Sequence, residues 1–318
     1  MEEQELQQTG NPPAPEGLLY HYTDQKGLLG IIEGGCLRAT HYRFLNDIEE
    51  RREAIRYFSN VLFQRKSYKP TTGIASSVRE HVLSEVQRNL DKELQSVDAY
   101  FVCFTQENMN PELPPDAQML GDRLSQWRGY AQGRQGFSLG FQRDRLISAA
   151  DELPKTNISV QLLNCTYSDL EKDAAAGTFV GYGDQEVLSW GKKGPDGNIN
   201  NLSQMKRVFH QFSSRFKHIG FKEETEWRLA FHMLAGHADA GLLKFRDGRF
   251  GVTPYIEVPL RLKDCESPLK RIVVGPGPHK DDCVASVKML LASKGIQLKS
   301  KEFPEGVDVV SSQIPYRN

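Results

Sequence analysis

Three short segments of the chain carry side chains whose types and spacing suit chemistry on a small ligand. The first is Tyr20-His21-Tyr22-Thr23. On a strand, His21 and Thr23 face one side and the two tyrosines the other, because side chains alternate along an extended chain. One face then offers an imidazole and a hydroxyl to a ligand. A structural histidine at the edge of the core fits the same pattern, since a single histidine is a weak signal.

The second segment spans residues 223–228. If a strand begins near Glu226, then Glu226 and Arg228 share one face and Trp227 packs behind them. A carboxylate at the point where a strand leaves the core is well placed to accept a hydrogen bond from a ligand. The alternative is a solvated acidic loop in which Arg228 forms a surface ion pair.

The third segment spans residues 124–130. Trp127 and Tyr130 are three positions apart, and on a helix they would line one side of a pocket. Arg128 lies between them and can hold a phosphate through two parallel hydrogen bonds. The alternative is ordinary core packing of the two aromatic side chains.

Several other reactive motifs are missing from the sequence. It contains neither H-E-x-x-H nor G-x-S-x-G. The segment 274–278 is rich in glycine and proline and is interpreted as a tight turn, because no Gly-Lys-Ser/Thr follows it as in a P-loop. The five cysteines are scattered without a C-x-x-C pair. We therefore expect neither a disulfide framework nor a metal site.

The charge balance gives no preference for a polyanionic partner. The chain has 318 residues, with 40 Lys plus Arg against 41 Asp plus Glu, and a formal net charge of −1. This balance provides no global attraction to nucleic acid or to an anionic membrane. No stretch is long and apolar enough to span a membrane, and residues 1–17 are unlike a signal peptide. Together with the scattered thiols, these features predict a soluble, cytoplasmic protein that does not bind membranes.

The elements that must position these residues begin after a polar tail. Residues 1–16 are rich in Gln, Glu and Pro, which predicts a disordered tail. Residues 17–318 show no repeat and no clear linker, which predicts a single domain. Apolar residues at helical spacing between about residues 47 and 96 predict a helical insertion of two long amphipathic helices.

A compact β-α-β unit is predicted at the start of this domain. Its first strand is Leu18–Thr23, and its second strand covers residues 37–40. The helix between them, at residues 26–33, is capped by Asp24 and ended by Gly34-Gly35. Further strands are predicted at residues 100–105, 136–141, 158–163, 226–232, 255–258, 271–274 and 307–310. Further helices are predicted at residues 202–217 and 282–293, and a short helical or irregular piece at residues 125–130.

Taken together, these segments resemble an uncharacterised bacterial domain family that is similar to a distant branch of the ADP-ribosyltransferase superfamily. The order and spacing of short motifs across residues 18–317 carry the resemblance. The pattern differs at Ile48, which replaces the proline that usually follows the Asn-Asp pair. The matching pieces are Leu19-Tyr20-His21-Tyr22-Thr23, Gly27-Leu28-Leu29-Gly30-Ile31, Phe44-Leu45-Asn46-Asp47 with Glu50, Cys103-Phe104-Thr105, Gln126-Trp127-Arg128-Gly129-Tyr130, Gly136-Phe137, Glu226-Trp227-Arg228, Val274-Gly275-Pro276, and Ser312 with Ile314-Pro315-Tyr316-Arg317.

The resemblance implies an α+β fold: an ADP-ribosyltransferase-like split, mixed β-sheet core with inserted and flanking α-helices. It also implies a site that uses NAD as a substrate and needs no metal. His21 and Glu226 match by position the first-strand histidine and the late-strand glutamate of that superfamily. The aromatic residue that stacks on nicotinamide stays ambiguous between Trp127 and Tyr130, with Tyr22 as a third candidate.

The same resemblance assigns roles to the remaining polar residues. Glu226 would hold a ribose 2′-hydroxyl and favour a positively charged transition state. His21 would hydrogen-bond a ribose hydroxyl with support from Thr23. Arg128 or Arg228 would contact the pyrophosphate.

Three classes of function follow for this pocket and its surroundings. The first is ADP-ribosyl transfer to a macromolecular acceptor, a protein or a nucleic acid, and the resemblance alone implies a toxin-like or anti-phage defence effector. NAD hydrolysis is a closely related reaction. The second is a non-catalytic module that senses a nucleotide. The third is an interaction protein whose inserted helices present an apolar stripe to a partner.

Overall fold

The structure is a computed structural model with an α+β architecture, built on a mixed ten-stranded sheet with several helices. It describes residues 17–45, 53–54, 57, 97–107, 120–131, 135–154, 158–174, 177, 210–234, 241–248 and 251–315. The predicted tail at residues 1–16 lies outside the described residues, as does most of the predicted helical insertion at residues 47–96.

The strands of the sheet follow the order β10-β9-β4-β1-β3-β2-β8-β7, and β6 joins it by pairing with β3 and β5. Strands β9 and β10 are parallel, and all the other described pairs are antiparallel. The strands are β1 Leu18–Thr23, β2 Cys36–His41, β3 Val97–Gln106, β4 Phe137–Gln142, β5 Ile158–Asn164, β6 Glu226–Leu234, β7 Leu243–Gly248, β8 Gly251–Pro259, β9 Leu269–Val274 and β10 Asp308–Ser311.

Within the described ranges, four α-helices and two short 3-10 helices have both ends defined, and residues 169–174 and 210–213 are also helical. Within the described part of the chain, no helix is both long enough and apolar enough to cross a membrane. The α-helices are α1 Gln25–Gly34, α2 Leu124–Tyr130, α3 Arg143–Ala150 and α4 Lys280–Ser293, and the 3-10 helices are Tyr42–Phe44 and Ile219–Glu224.

The predicted β-α-β unit at the start of the domain is confirmed. The Asp24 side chain accepts a hydrogen bond of 2.8 Å from the Gly27 backbone N–H, which caps the first turn of α1. Gly35 ends the helix with φ at 62°, a left-handed conformation that glycine adopts without a steric penalty. Its N–H donates to the carbonyl of Ile31. The sharp stop allows β2 to begin at Cys36.

Strand β3 organises the sheet because it pairs along both edges. On one edge it pairs with β6 over residues 97–105. On the other edge β1 pairs at Thr105 and Gln106, whereas β2 pairs at Tyr100 and Phe101. Strands β1 and β2 therefore separate along this edge and leave a gap opposite the middle of β3.

The main core lies on one face of the sheet and is covered by helices. Residues of α1, α3 and α4 pack there against apolar side chains of the strands, including Phe104, Trp227 and Leu229. A smaller cluster joins Trp127 of α2 to Tyr20 and Tyr22 of β1. The alternation predicted for β1 is thereby confirmed, because its two tyrosines pack together while His21 and Thr23 are only partly buried.

The helix predicted at residues 202–217 extends too far. Residues 202–209 lie outside the described residues, and the described helical part covers only residues 210–213. Phe216 instead forms a parallel β-bridge with Thr166, and the N–H of Lys217 donates to the carbonyl of Thr166. This backbone pairing replaces the last helical turn, and it determines where Lys217 lies.

Candidate functional site

A cavity of about 620 Å³ opens at the gap between β1 and β2. Its volume falls within the range of about 300–1,000 Å³ that is usual for small-molecule sites. The gap exposes the middle of β3, so that Phe101, Val102 and Cys103 form part of the wall. The polar and charged residues of the lining are His21, Tyr22, Thr23, Lys26, Arg38, Thr40, Glu53, Tyr130, Lys217, His218, Glu224, Glu226 and Arg246.

His21 lines the cavity and is fixed by a backbone hydrogen bond. Its Nδ1 lies 2.9 Å from the carbonyl oxygen of Cys103, so Nδ1 carries the proton and donates. Burial lowers the pKa of His21, although the hydrogen bond to Cys103 opposes the shift. At neutral pH the ring is therefore neutral, and Nε2 is left as a hydrogen-bond acceptor.

Thr23 also lines the cavity and lies against α1. A Cβ atom at Gly27 would lie only 1.8 Å from Thr23 Oγ1. A larger residue at this position would therefore displace the Thr23 hydroxyl from its present place in the lining. Because Gly27 is also the residue whose N–H is capped by Asp24, the start of α1 is fixed against the end of β1.

Glu226 is buried in the wall of the cavity and bound by two cations. Its carboxylate accepts a hydrogen bond of 2.8 Å from Arg228 Nε and a short one from Lys217 Nζ. Lys217 also contacts Glu224 at 2.6 Å. Burial alone would raise the pKa of Glu226, but the charges of Arg228 and Lys217 more than offset this and lower it to about 2. The carboxylate is therefore ionised at neutral pH.

The backbone of β6 aims this carboxylate. Glu226 is the first residue of β6, and its N–H donates to the hydroxyl of Tyr167 at 2.7 Å. Register with β3 places Glu226 opposite Thr105 and Arg228 opposite Cys103. Glu226 and Arg228 share one face of the strand, as predicted, while Trp227 packs into the core on the other face. The alternative of a solvated acidic loop does not fit this burial.

Tyr130, at the end of α2, completes the wall near Glu226. The residue as a whole is 44 % exposed, yet its surroundings raise the pKa of the phenol. Loss of solvent is the main cause, and nearby Cys103, Glu224 and Glu226 add to it. Tyr130 therefore lies in the same electrostatic environment as the carboxylate.

Strands β1 and β6 do not pair with each other. They pair with opposite edges of β3, because β3 is long enough to hold both. Tyr20, Thr105 and Glu226 are in register, so their side chains leave the same face of the sheet and His21 leaves the other. His21 and Glu226 nevertheless both line the cavity.

Three predicted site residues lie elsewhere. Trp127 is 4 % exposed and does not line the cavity; its ring packs edge-on against Tyr22 with ring centroids 4.8 Å apart, and its Nε1 donates to Asp122. Arg128 is exposed on α2 and is not part of the lining. Arg228 is buried and occupied by Glu226, outside the lining. Ordinary packing is thus the role that the structure shows for Trp127.

Tyr22 lines the cavity and also packs against Trp127, which lies outside it. It contributes to the lining of the cavity, but its hydroxyl donates to Glu107 at 2.7 Å and accepts from the N–H of Arg123. These bonds join β1 to the residue after β3 and to the segment before α2. Tyr22 therefore positions the wall of the cavity through contacts made outside it.

Several cations of the cavity were missed by sequence reasoning. Lys217 was assigned to a helix that ends earlier, and Lys26 lies in the first turn of α1, where no motif marks it. Arg38 and Arg246 come from strands far apart in the chain. The only sequence signal for Arg38 was its place in the predicted strand at residues 37–40, where it is a charged residue between the apolar Leu37 and Ala39.

Comparison with known families identifies an uncharacterised domain in this region. A family model described as "Protein of unknown function (DUF2971)" matches residues 126–229. The matched segment contains both Tyr130 and Glu226, whereas His21 lies before it. No curated protein and no solved structure matches the chain. These comparisons contain no link to ADP-ribosyltransferases. Across the described ranges, no group of three or more His, Cys, Asp or Glu side chains is arranged to hold a metal ion.

Proposed function

We propose that the chain is an NAD-dependent ADP-ribosyltransferase that modifies a macromolecular acceptor. The observation that carries the proposal is the convergence of His21 and Glu226 on one cavity of about 620 Å³, with Tyr130 in the wall beside the carboxylate. The separation of β1 and β2 along β3 also supports a split-sheet fold of the ADP-ribosyltransferase kind, since it creates the opening in which a dinucleotide would lie.

The reaction needs few chemical groups from the protein. The bond between the ribose C1′ and the nicotinamide nitrogen breaks, and its electron pair leaves with nicotinamide, which becomes neutral. Positive charge develops on the ribose, as it does in glycoside cleavage. An oxygen or nitrogen of the acceptor then bonds C1′ and loses its proton. If water replaces the acceptor, the same site hydrolyses NAD.

The states of the residues suit these steps. Glu226 is ionised at neutral pH and can accept a hydrogen bond from a ribose hydroxyl. Neutral His21 offers Nε2 as a second acceptor, because Nδ1 donates to Cys103. Tyr130 presents an aromatic ring on the wall near Glu226, so we assign it, rather than the packed Trp127, to nicotinamide stacking.

A nucleotide-binding module without catalysis is the second candidate, and the pairing of Glu226 favours it. Lys217 and Arg228 both bind the carboxylate. Their positive charges offset its negative charge, which weakens its attraction for the cation that develops on the ribose. In this case the carboxylate would recognise a ribose hydroxyl without accelerating bond cleavage. The two candidates share the cavity and differ in whether nicotinamide is released.

The test is to incubate the full chain with NAD and to follow nicotinamide release. We expect release by the wild type and a loss of at least about 100-fold in Glu226→Gln, by analogy with the removal of other groups that stabilise transition-state charge. Label transferred from NAD to a macromolecule indicates transferase activity, and release without transferred label indicates hydrolysis.

Glu223→Gln is the matched control, because Glu223 is an exposed carboxylate three positions away. It should retain full activity. Glu226→Gln disturbs two buried ion pairs, so its folding is checked by circular dichroism. Tyr130→Ala removes the ring assigned to stacking and Thr23→Val removes the supporting hydroxyl. Both leave the ion pairs intact, and both should lower release. Release that is equal in Glu226→Gln and the wild type would overturn the proposed mechanism. NAD binding without release in the wild type would support the module instead.

A further inference from the structure

The carboxylates that line the cavity all have cationic partners. Glu226 is bound by Arg228 and Lys217, and Glu224 is bound by Lys217 as well. Glu53 lies 3.5 Å from Lys172 Nζ. The negative charge of this lining is therefore compensated within the protein.

Three cations of the same lining lack such a partner. Among the described residues, Lys26, Arg38 and Arg246 form no ion pair with a carboxylate. Arg246 Nη2 donates to the hydroxyl of Thr40 at 3.0 Å, which orients the guanidinium and leaves its charge uncompensated. The cavity therefore has a compensated end near Glu226 and a positively charged end.

The strand register brings the two arginines together. Arg38 and Thr40 of β2 lie opposite Glu257 and Tyr255 of β8, and Arg246 of β7 lies opposite Thr253. All these side chains therefore leave the same face of the sheet. The Cζ atom of Arg38 lies 5.2 Å from the centroid of the Tyr255 ring.

The two guanidinium groups are close enough for their charges to repel each other. Burial lowers the pKa of Arg246, and the charge of Arg38 lowers it further. Glu257 lies opposite Arg38 in the register of β2 and β8, and its carboxylate is engaged at 2.5 Å by Lys244. Two guanidinium groups that repel each other without a shared carboxylate are stabilised when an anion binds between them.

We propose that Arg38 and Arg246 form a diphosphate-binding subsite, with Lys26 of α1 as a third cation. The inference rests on the proposed function in taking a dinucleotide as the ligand. Guanidinium groups suit this ligand because each can donate two parallel hydrogen bonds to phosphate oxygens. The diphosphate would lie at the positive end, and the ribose next to nicotinamide would reach Glu226. This assignment replaces Arg128 and Arg228.

The test measures binding by the full chain by isothermal titration calorimetry with four probes: ADP-ribose, ADP, inorganic pyrophosphate and adenosine. ADP-ribose, ADP and pyrophosphate share the diphosphate, and adenosine lacks it. We expect Arg38→Gln and Arg246→Gln each to weaken binding of the three diphosphates at least about tenfold, because each removes charge-assisted hydrogen bonds. Binding of adenosine should be unchanged. Higher salt should weaken diphosphate binding by the wild type more than binding by a variant that carries both Arg38→Gln and Arg246→Gln.

Arg261→Gln is the matched control, because Arg261 is an exposed arginine paired with Glu152 outside the cavity. It should bind all four probes as the wild type does. Diphosphate affinity that is equal in the wild type and in folded Arg38→Gln and Arg246→Gln overturns the inference, as does a wild type that binds none of the diphosphates.

The outcomes for subsite and activity are separable. If nicotinamide is never released but ADP-ribose binding depends on both arginines, the subsite stands and the transferase fails. If nicotinamide release depends on Glu226, and neither arginine substitution changes nicotinamide release or ADP-ribose binding, the transferase stands and the subsite fails.

Discussion

His21 combines a fixed tautomer with a lowered pKa, and both have measurable consequences. Its Nδ1–H donates to Cys103, and burial disfavours the protonated ring. In the unfolded chain the imidazole takes up a proton as the pH falls through its ordinary value of 6.5. The folded protein does not gain this proton at the same pH, so the contribution of His21 to stability is present above pH 6.5 and is lost as the pH falls below it.

We therefore predict that the stability cost of His21→Gln depends on pH. At pH 8 the variant should be less stable by about 1 kcal/mol, since a buried hydrogen bond is lost. The difference should shrink between pH 7 and pH 5, because glutamine does not titrate. Urea unfolding of both proteins at several pH values measures it. A difference that grows as the pH falls would mean that His21 is protonated in the folded protein.

The site could be predicted from the sequence only where a motif holds its residues close together in the chain. The alternation in β1 indicated His21 and Thr23, and the start of β6 indicated Glu226. Trp127 was ambiguous because an aromatic residue on a helix packs into a core or lines a pocket with the same spacing. The closeness of Arg38 and Arg246 had no signal in the sequence, because it depends on the pairing of β2, β8 and β7.

Helix α2 and the C-terminal segment are joined through one side chain. Asp122, just before α2, accepts hydrogen bonds from Trp127 Nε1 at 2.8 Å and from Ser312 Oγ at 2.6 Å. Its other oxygen accepts from the N–H of Gln313 at 2.7 Å. These bonds fix the end of the chain after β10 against the helix that carries Tyr130.

Asp122→Ala should therefore loosen both elements. We expect a loss of about 3 kcal/mol of unfolding free energy, because several donors lose a charged acceptor. We also expect faster proteolysis within residues 312–315, measured by mass spectrometry of the fragments. Glu302→Ala, which changes an exposed carboxylate, is the control and should alter neither quantity. Unchanged proteolysis in Asp122→Ala would show that β10 alone holds this segment.

Elements with local signals were predicted well, and those defined by tertiary contacts were not. The caps at Asp24 and Gly35 fixed α1 within the predicted β-α-β unit. The helix predicted to reach Lys217 was ended early by the bridge of Phe216 to Thr166, which periodicity does not reveal. Strand β7 was missed because half of its residues are charged and five of the six are exposed, so that no apolar face marks it.

The sheet is most extensively paired around β3 and β6. Strand β6 pairs with β3 on one edge and β5 on the other, and its residues 226–233 are buried. Strand β7 stands at the opposite extreme, because it pairs only with β8 among the described strands and exposes 59 % of Phe245. The cavity lies between these regions, with Glu226 on the firm side and Arg246 on the exposed edge.

This arrangement predicts an uneven response to ligand binding, measurable by amide hydrogen exchange. Without ligand, β3 and β6 should exchange slowest and β7 fastest, because exchange requires opening and buried, doubly paired strands open least. ADP-ribose at saturating concentration should slow exchange in β7 and at the start of α1, where Arg246 and Lys26 lie, and should change β6 little. Slowing confined to β6 would place the ligand at Glu226 alone. Slow exchange of β7 without ligand would show that another segment covers this edge. The ligand would then have no fast exchange to slow in β7, and the prediction would fail.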